Sequence, residues 1–389
     1  MRLVPLAGRT EDAIQHALLS HGWEGDLSRT TSAGLESLAF HLTHVEPQAL
    51  QSLVSAGARL GIDVITGDDW ALLAGPRARV SALARPMTCP EPLRELAMAL
   101  GHALPGEDPL LWQTGAGPVA LDRPVIMGIL NLTPDSFSDG GRHTGVEPAL
   151  TRADLLIAGG AAILDVGGES TRPGAVPVEE EEELARVIPV LQAVAARFPE
   201  TILSIDTTKS SVARAAIDAG ATVVNDVSGL RLDPAMGEVV ARRQAGLVLM
   251  HSRGGAGHLA TEEGEGYPGG VLAAVLRELG EAIERARRAG VPAERIVVDP
   301  GLGFGKSTEH ALELLRGVRA LRELGRPILI GPSRKRFLGE LTGRPVAERD
   351  IATAAACALG WMGGARIFRV HEPGLVRDAL AVAASVCPR

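Results

Sequence analysis

PVIMGILN, residues 124–131, is the stretch on which the fold turns. It is apolar almost throughout and does not alternate with polar residues. A strand with one wet face alternates, whereas a continuous apolar run belongs to a strand buried on both faces, as in a parallel sheet. Seven further runs repeat the pattern: AAILDV (161–166), TILSID (201–206), ATVVND (221–226), GLVLMH (246–251), RIVVD (295–299), PILIG (327–331) and ARIFRV (365–370). Amphipathic windows that predict helices lie between them, at 146–158, 178–197, 210–219, 233–243, 270–289, 308–324 and 348–362. Glycines such as Gly160, Gly220, Gly290, Gly325 and Gly364 precede the next run, as left-handed helix stops do. Eight βα units in about 265 residues predict a closed (β/α)8 barrel. The alternative is an open doubly wound sheet. It normally has fewer strands, and no GxGxxG turn follows the first run.

The segment before the barrel reads differently. A strand at 35–45, a helix at 47–60 closed by Gly61, and short strands at 62–66 and 70–74 around a Gly67-Asp68-Asp69 turn are expected. Residues 77–84 fit either a strand or a helix. The expected organisation is a small α+β domain at 1–105, a Gly/Pro-rich linker at 106–123 and the barrel at 124–389.

Bulk composition narrows the function. The chain has 389 residues, 46% hydrophobic, with a net charge of −8 and three cysteines. An acidic chain lacks the basic face a nucleic-acid binder needs. Cys89, Cys357 and Cys387 are far apart with no CxxC, which excludes a disulfide scaffold and a structural zinc site and suits a reducing compartment. No apolar run approaches membrane-span length, and the opening MRLVPLAGRTED is too short in apolar residues for a signal peptide, so a cytoplasmic location is expected. Only three lysines, Lys209, Lys306 and Lys335, stand among the 39 basic residues. A retained lysine marks a place where a compact, tunable ammonium is wanted.

Barrel active sites form at the C-terminal strand ends. The eight runs end on Asn131, Asp165, Asp206, Asn225-Asp226, Met250-His251, Asp299, Ser333-Arg334-Lys335 and Arg369-Val370-His371. A single Asp there is as readily a helix cap as a ligand, but so many polar groups converging on one mouth have no structural need. Because the last strand neighbours the first, Asn131, Thr171, Arg369 and His371 make a cationic patch suited to phosphate. Asn131 is also a neutral oxygen acceptable to Mg²⁺. Across the mouth, Asp206, Asn225, Asp299 and Lys335 complement the donors and acceptors of a fused aminopyrimidinone ring. GLGFGKS (301–307) resembles a phosphate loop but fails the Walker spacing, since Pro300 stands where a glycine is required. Its glycines are expected to let the loop approach a flat ligand, with Phe304 beside the ring. The acidic run 179–183 reads as a solvated first helical turn.

At these residues the sequence resembles the dihydropteroate synthases of the pterin-binding barrel superfamily. The resemblance rests on MGILNLTPDSFSDGG (127–141), DVGGESTRPG (165–174), DTTK (206–209), NDVSG (225–229), DPGLGFGK (299–306), GPSRKRFLG (331–339) and RVH (369–371), in family order and across the whole barrel. It implies condensation of 6-hydroxymethyl-7,8-dihydropterin diphosphate with 4-aminobenzoate to give dihydropteroate, by dissociative loss of diphosphate. It implies a pterin pocket of Asp206, Asn225, Met250, Asp299, Phe304 and Lys335. The diphosphate site would be Asn131, Thr171, Arg369 and His371, with Mg²⁺ at Asn131. The aminobenzoate site would be Phe137, Thr171, Arg172, Pro173 and Ser333. Asp139 and Asp165 would steady the developing cation, with Lys335, Arg369 and His371 completing the catalytic set. It further implies a homodimer built through the C-terminal helices. Ser252 stands where the family usually has Met, and Ser307-Thr308 where Thr-Pro is commoner.

Two other readings share the barrel. A pterin-dependent methyltransferase domain would lack the 137–139 and 333–335 loops and would require a corrinoid partner. A non-catalytic pterin-binding paralogue would have lost loop residues such as Asp139 and Arg172, both of which are present.

Overall fold

Two compact units divide the chain: residues 1–108 with 319–325, and residues 109–318 with 326–389. The computed structural model describes residues 2–5, 37–83, 91–93, 96–97, 100, 111–132, 145–170, 177–254, 266–267 and 269–387.

In the first unit, strands β1 (Arg2–Pro5), β2 (Ser37–Thr43), β3 (Asp63–Thr66) and β4 (Trp70–Pro76) form an antiparallel sheet in the order β1-β2-β4-β3. Helix α1 (Pro47–Leu60) starts on a proline, whose fixed φ suits a first helical turn. It stops at Gly61, which takes the left-handed φ of 64°. Its Leu50, Leu53 and Ala56 join Phe40, Leu42, Leu73 and Val80 in one core. The segment left open between strand and helix forms α2 (Arg77–Leu83). The expected α+β character of this region is what the structure has.

The second unit opens with a hairpin, β5 (Leu111–Thr114) and β6 (Gly117–Ala120). This corrects the linker reading of 106–123 for residues 111–120. Trp112 is fully buried with Val125, Met127, Val223 and Ile367, and its indole N–H donates to the Arg295 carbonyl at 2.8 Å. The hairpin therefore plugs the N-terminal end of the barrel. The Gly and Pro content that suggested a linker serves a tight turn instead, with Gly117 at φ 111°.

All eight apolar runs form strands: β7 (Val125–Asn131), β8 (Ile163–Gly167), β9 (Ile202–Asp206), β10 (Val223–Asp226), β11 (Gly246–Met250), β12 (Ile296–Asp299), β13 (Leu329–Ile330) and β14 (Ile367–Val370). They pair in parallel in the order β12-β11-β10-β9-β8-β7-β14-β13. A parallel bridge from Val298 to Ile328 joins the two ends. The cylinder is thus closed, and the open-sheet alternative falls.

Helices α3 (Val146–Ala158), α4 (Glu180–Arg197), α5 (Ser210–Asp218), α6 (Met236–Arg243), α7 (Val271–Arg288), α8 (Thr308–Arg316), α9 (Arg336–Thr342), α10 (Asp350–Gly363) and α11 (Pro373–Val386) accompany the strands. The 308–324 window is not one helix. It breaks at Gly317, where a Cβ would lie 2.7 Å from a Leu272 side-chain carbon, and 318–324 continues as a tighter 3-10 turn. Among the described residues no helix is long and apolar enough to cross a membrane.

Candidate active site

Strand register sets the site. Asn131 pairs with Gly167, Gly167 with Asp206, and Asp206 with Asn225, so these residues lie in one row across β7 to β10. One step further into the barrel, Asp165 pairs with Ser204. On the other side of the mouth, Met250 pairs with Asp299. Gly167 lies within this row: a Cβ there would make ordinary contact, 3.6 Å from Asn131 Oδ1 and 3.8 Å from Asp206 Oδ2.

Asp165 is engaged from three sides. It is fully buried and accepts from Ser204 Oγ at 2.5 Å, Asn225 Nδ2 at 3.0 Å and Arg369 Nε at 2.6 Å. Arg369 also donates through Nη2 to Asp206 Oδ2 at 2.6 Å. Its guanidinium therefore bridges the two carboxylates. Sequence reasoning set Arg369 on the phosphate side, opposite Asp206; in the structure the two are partners, and the division of the mouth into separate ring and phosphate sides does not hold at Arg369. Burial raises the Asp206 carboxyl to about 7, Arg369 opposes the rise and Asp165 adds to it.

The ring-facing candidates form the opposite wall. Asp299 is buried, its Oδ1 accepts the Gly301 N–H at 2.7 Å, and burial raises its pKa against the pull of Lys335. The Lys335 ammonium lies 4.2 Å from the centroid of the Phe304 ring and donates to the Leu302 carbonyl. Burial lowers it to about 7, while Asp299 favours its charge. Met250 and Val227 form a small apolar cluster with Leu232 and Phe304 packed against it. Carboxylates, an ammonium and an apolar floor thus converge, as a flat polar heterocycle requires.

Ser333, three residues past β13, and His371, just past β14, meet. Ser333 Oγ accepts the His371 backbone N–H at 3.1 Å and lies 2.9 Å from its Nδ1. The hydroxyl proton can therefore face Nδ1, which leaves the tautomer with its proton on Nε2. The turn carrying Ser333 and Lys335 is gripped by the start of α10. Arg334 stands at φ 56°, pairs with both carboxylate oxygens of Asp350 at 2.8 Å, and donates its N–H to Thr353 Oγ1 at 3.1 Å. Phe137, Asp139, Thr171, Arg172 and Pro173 lie outside the described residues.

Several partners were invisible in the sequence. Ser204 carries no motif. Glu183 belongs to the acidic run read as solvated, yet it is fully buried and holds Lys209 Nζ at 2.6 Å, which Glu169 also holds at 2.6 Å. The run is therefore solvated only in part. Asp226 is a turn-former whose oxygens accept the Ser228 and Leu230 N–H groups at 2.8 Å. Lys306 is buried, with its Nζ 3.0 Å from His251 Nδ1. The scarcity of lysine, and their places in DTTK (206–209) and DPGLGFGK (299–306), pointed to Lys209 and Lys306 without giving either a role.

The sequence model described as pterin binding enzyme matches residues 127–371. A mitochondrial folate synthesis bifunctional protein of Arabidopsis thaliana is 44% identical over 269 residues, covering 66% of this chain and 48% of that protein; the chain thus spans about half the length of such relatives. The dihydropteroate synthase of Escherichia coli is 42% identical over 262 residues, covering 67% of this chain and 91% of its own. Solved structures of Xanthomonas albilineans dihydropteroate synthase are similar over 71% of this chain and 98% of theirs. The one with 4-aminobenzoic acid has 45% identity and a TM-score of 0.66, and the one with 7,8-dihydropteroate has 42% and 0.64.

Proposed function

The chain belongs to the pterin-binding enzyme family, and from that membership we propose that it is a dihydropteroate synthase, a transferase of folate synthesis. It joins 6-hydroxymethyl-7,8-dihydropterin diphosphate to 4-aminobenzoate and releases diphosphate. The observation that carries this reading is the constellation in which half-buried Arg369 ties the buried Asp165 and Asp206 together at 2.6 Å, facing buried Asp299 and half-buried Lys335.

The chemistry suits the residues. An arylamine is a weak nucleophile that needs no strong base, so the slow event is C–O cleavage at the pterin methylene. Asp206, Asn225, Asp299 and Lys335 hold the ring, with Phe304 and Met250 against its faces. Diphosphate draws on the donors of Arg369 and His371. As it takes up the guanidinium, Asp165 and Asp206 lose part of their counter-charge just as positive charge grows at the methylene. Fixed carboxylates in a dry site then stabilise that charge. Thr171 would add a hydroxyl to the diphosphate site. Phe137, Arg172, Pro173 and Ser333 would receive the aminobenzoate, and Asp139 would support Asp165.

The donor set fits a Mg²⁺ carried in on diphosphate. Asn131 offers one neutral oxygen, the nearby carboxylates are committed to Arg369, and no group of three His, Cys, Asp or Glu among the described residues could hold a metal. Asn131 and the substrate's own oxygens would hold the ion, which would neutralise charge on the leaving group.

We read the working form as a homodimer in a reducing, cytoplasmic setting. Ile351, Leu359 and Met362 on α10 and Leu375, Val382 and Val386 on α11 are exposed, an apolar surface of the kind that marks a subunit contact. Incubating the folded chain with pterin diphosphate, Mg²⁺ and 4-aminobenzoate should yield dihydropteroate; no product would defeat the synthase reading.

A further inference from the structure

Behind the glycine-rich loop after β12 sits an ammonium that no step above uses. Lys306 is 2% exposed. Its Nζ lies 2.9 Å from the Phe304 carbonyl, 3.0 Å from that of Gly301, 3.3 Å from that of His251 and 3.0 Å from His251 Nδ1. Four acceptors surround a group with three donor hydrogens. Gly301, Gly303 and Gly305 stand at φ 65°, 77° and 58°, the left-handed region that suits glycine. At Gly301 a Cβ would lie 1.9 Å from the His251 carbonyl oxygen. The loop thus turns its carbonyl dipoles inward, and inward dipoles in a dry interior need a cation or a donor.

His251 completes the arrangement. Its Nε2 lies 2.9 Å from Glu278 Oε2, and Glu278 also takes Arg253 at 2.5 Å. Burial, and then Lys306, hold the imidazole down to about 4. The ring is therefore neutral at pH 7, with an Nε2 proton on Glu278 and an Nδ1 lone pair toward Lys306. The outer side of the same loop forms the ring-facing wall: Gly301 donates to Asp299, Phe304 lies over the Met250 cluster, and Lys335 donates to Leu302. One loop is held between two lysines that burial lowers to about 7, Lys335 on the substrate side and Lys306 behind it.

We propose that Lys306, backed by His251 and Glu278, is a positioning residue for the pterin ring: by drawing the Gly301 and Phe304 carbonyls inward it holds Asp299 and Phe304 where the ring needs them. The proposal rests on the synthase reading. Lys306 does not touch the substrates, so its loss must register on the pterin and not on the aminobenzoate.

The test titrates 6-hydroxymethylpterin into the full-length chain by fluorescence and measures KM for both substrates. Lys306→Met should weaken pterin binding about tenfold or more, the scale of one lost buried polar contact, with the aminobenzoate KM at saturating pterin diphosphate changed less than about twofold. His251→Gln, which keeps an acceptor for the ammonium, should bind pterin nearly as wild type does. His251→Leu should behave as Lys306→Met. Wild-type pterin affinity in folded Lys306→Met, or an equal rise in both KM values, overturns the proposal. If Lys306→Met does not fold, the histidine pair decides: equal pterin affinity in the Gln and Leu variants overturns it. Failure of the wild type to bind pterin overturns the synthase reading, and the proposal with it.

Discussion

Asp206 and Lys335 stand on opposite sides of the mouth, and burial brings both to about 7 from opposite directions. In the proposed pterin site, ring binding would draw on an ionised Asp206 and a protonated Lys335. As pH rises, the carboxyl loses its proton and binding improves; the ammonium then loses its own and binding falls. The kcat/KM for pterin diphosphate should therefore trace a narrow bell near pH 7, whose limbs belong to the coupled set and not to single residues. Burial lowers Lys306 to about 7 as well, so Lys335→Arg, which places a permanent cation on the substrate side, should keep the acid limb and reduce the alkaline one to the share that Lys306 leaves; an unchanged alkaline limb would remove Lys335 from the account. Asp165 gives a second residue-scale test. Asp165→Asn keeps an acceptor for Ser204 but removes the charge that faces Arg369 and the developing cation. Turnover should fall about a hundredfold, the scale of one lost electrostatic stabiliser, while pterin affinity stays within a few fold. Equal losses in turnover and affinity would make Asp165 a binding group only.

At the scale of elements, the β5–β6 hairpin is the clearest departure from the sequence reading. Gly115, Gly117 and Pro118 look like linker composition, and only the packing of Trp112 against the strand starts reveals a plug. Trp112→Ala should cost about 3–5 kcal/mol, as large buried aromatics do, and lower the melting temperature. The kcat should hold, because the plug closes the end of the barrel away from the reacting groups; a parallel loss of activity would contradict this separation. The strands themselves were legible because their continuous apolar runs admit one kind of sheet. The row Asn131, Asp206, Asn225 was legible too, since strand ends share one rim. The Arg369 bridge to Asp165 and Asp206 was not, because sequence orders strands but does not say which way a long side chain leans across the mouth. Nor was burial of Glu183, whose acidic neighbours suggest solvent.

For the whole molecule, the apolar residues exposed on α10 and α11 matter most. α10 also carries Asp350, the partner of Arg334 beside Lys335, so the proposed subunit contact would share a helix with the site. Ile351, 77% exposed, neighbours Asp350 without entering the site. Ile351→Arg with Val382→Arg should convert the dimer to monomer in sedimentation velocity; a wild-type chain that sediments as a monomer would refute the dimer outright. The barrel's closure has a consequence of its own. β13 is two residues long, and one isolated bridge, Val298 to Ile328, with the Val298 N–H donating to Pro327 O at 3.0 Å, joins it to β12. This is the sparsest seam in the cylinder, and it runs between the strands that lead to Asp299 and to Lys335. A ligand grasped by both residues is a staple across that seam. In native-state hydrogen exchange the Val298 amide should be among the first barrel amides to take up deuterium, and pterin should slow it more than amides on β8 or β9. The pocket would then lend the barrel a join that its backbone makes only thinly.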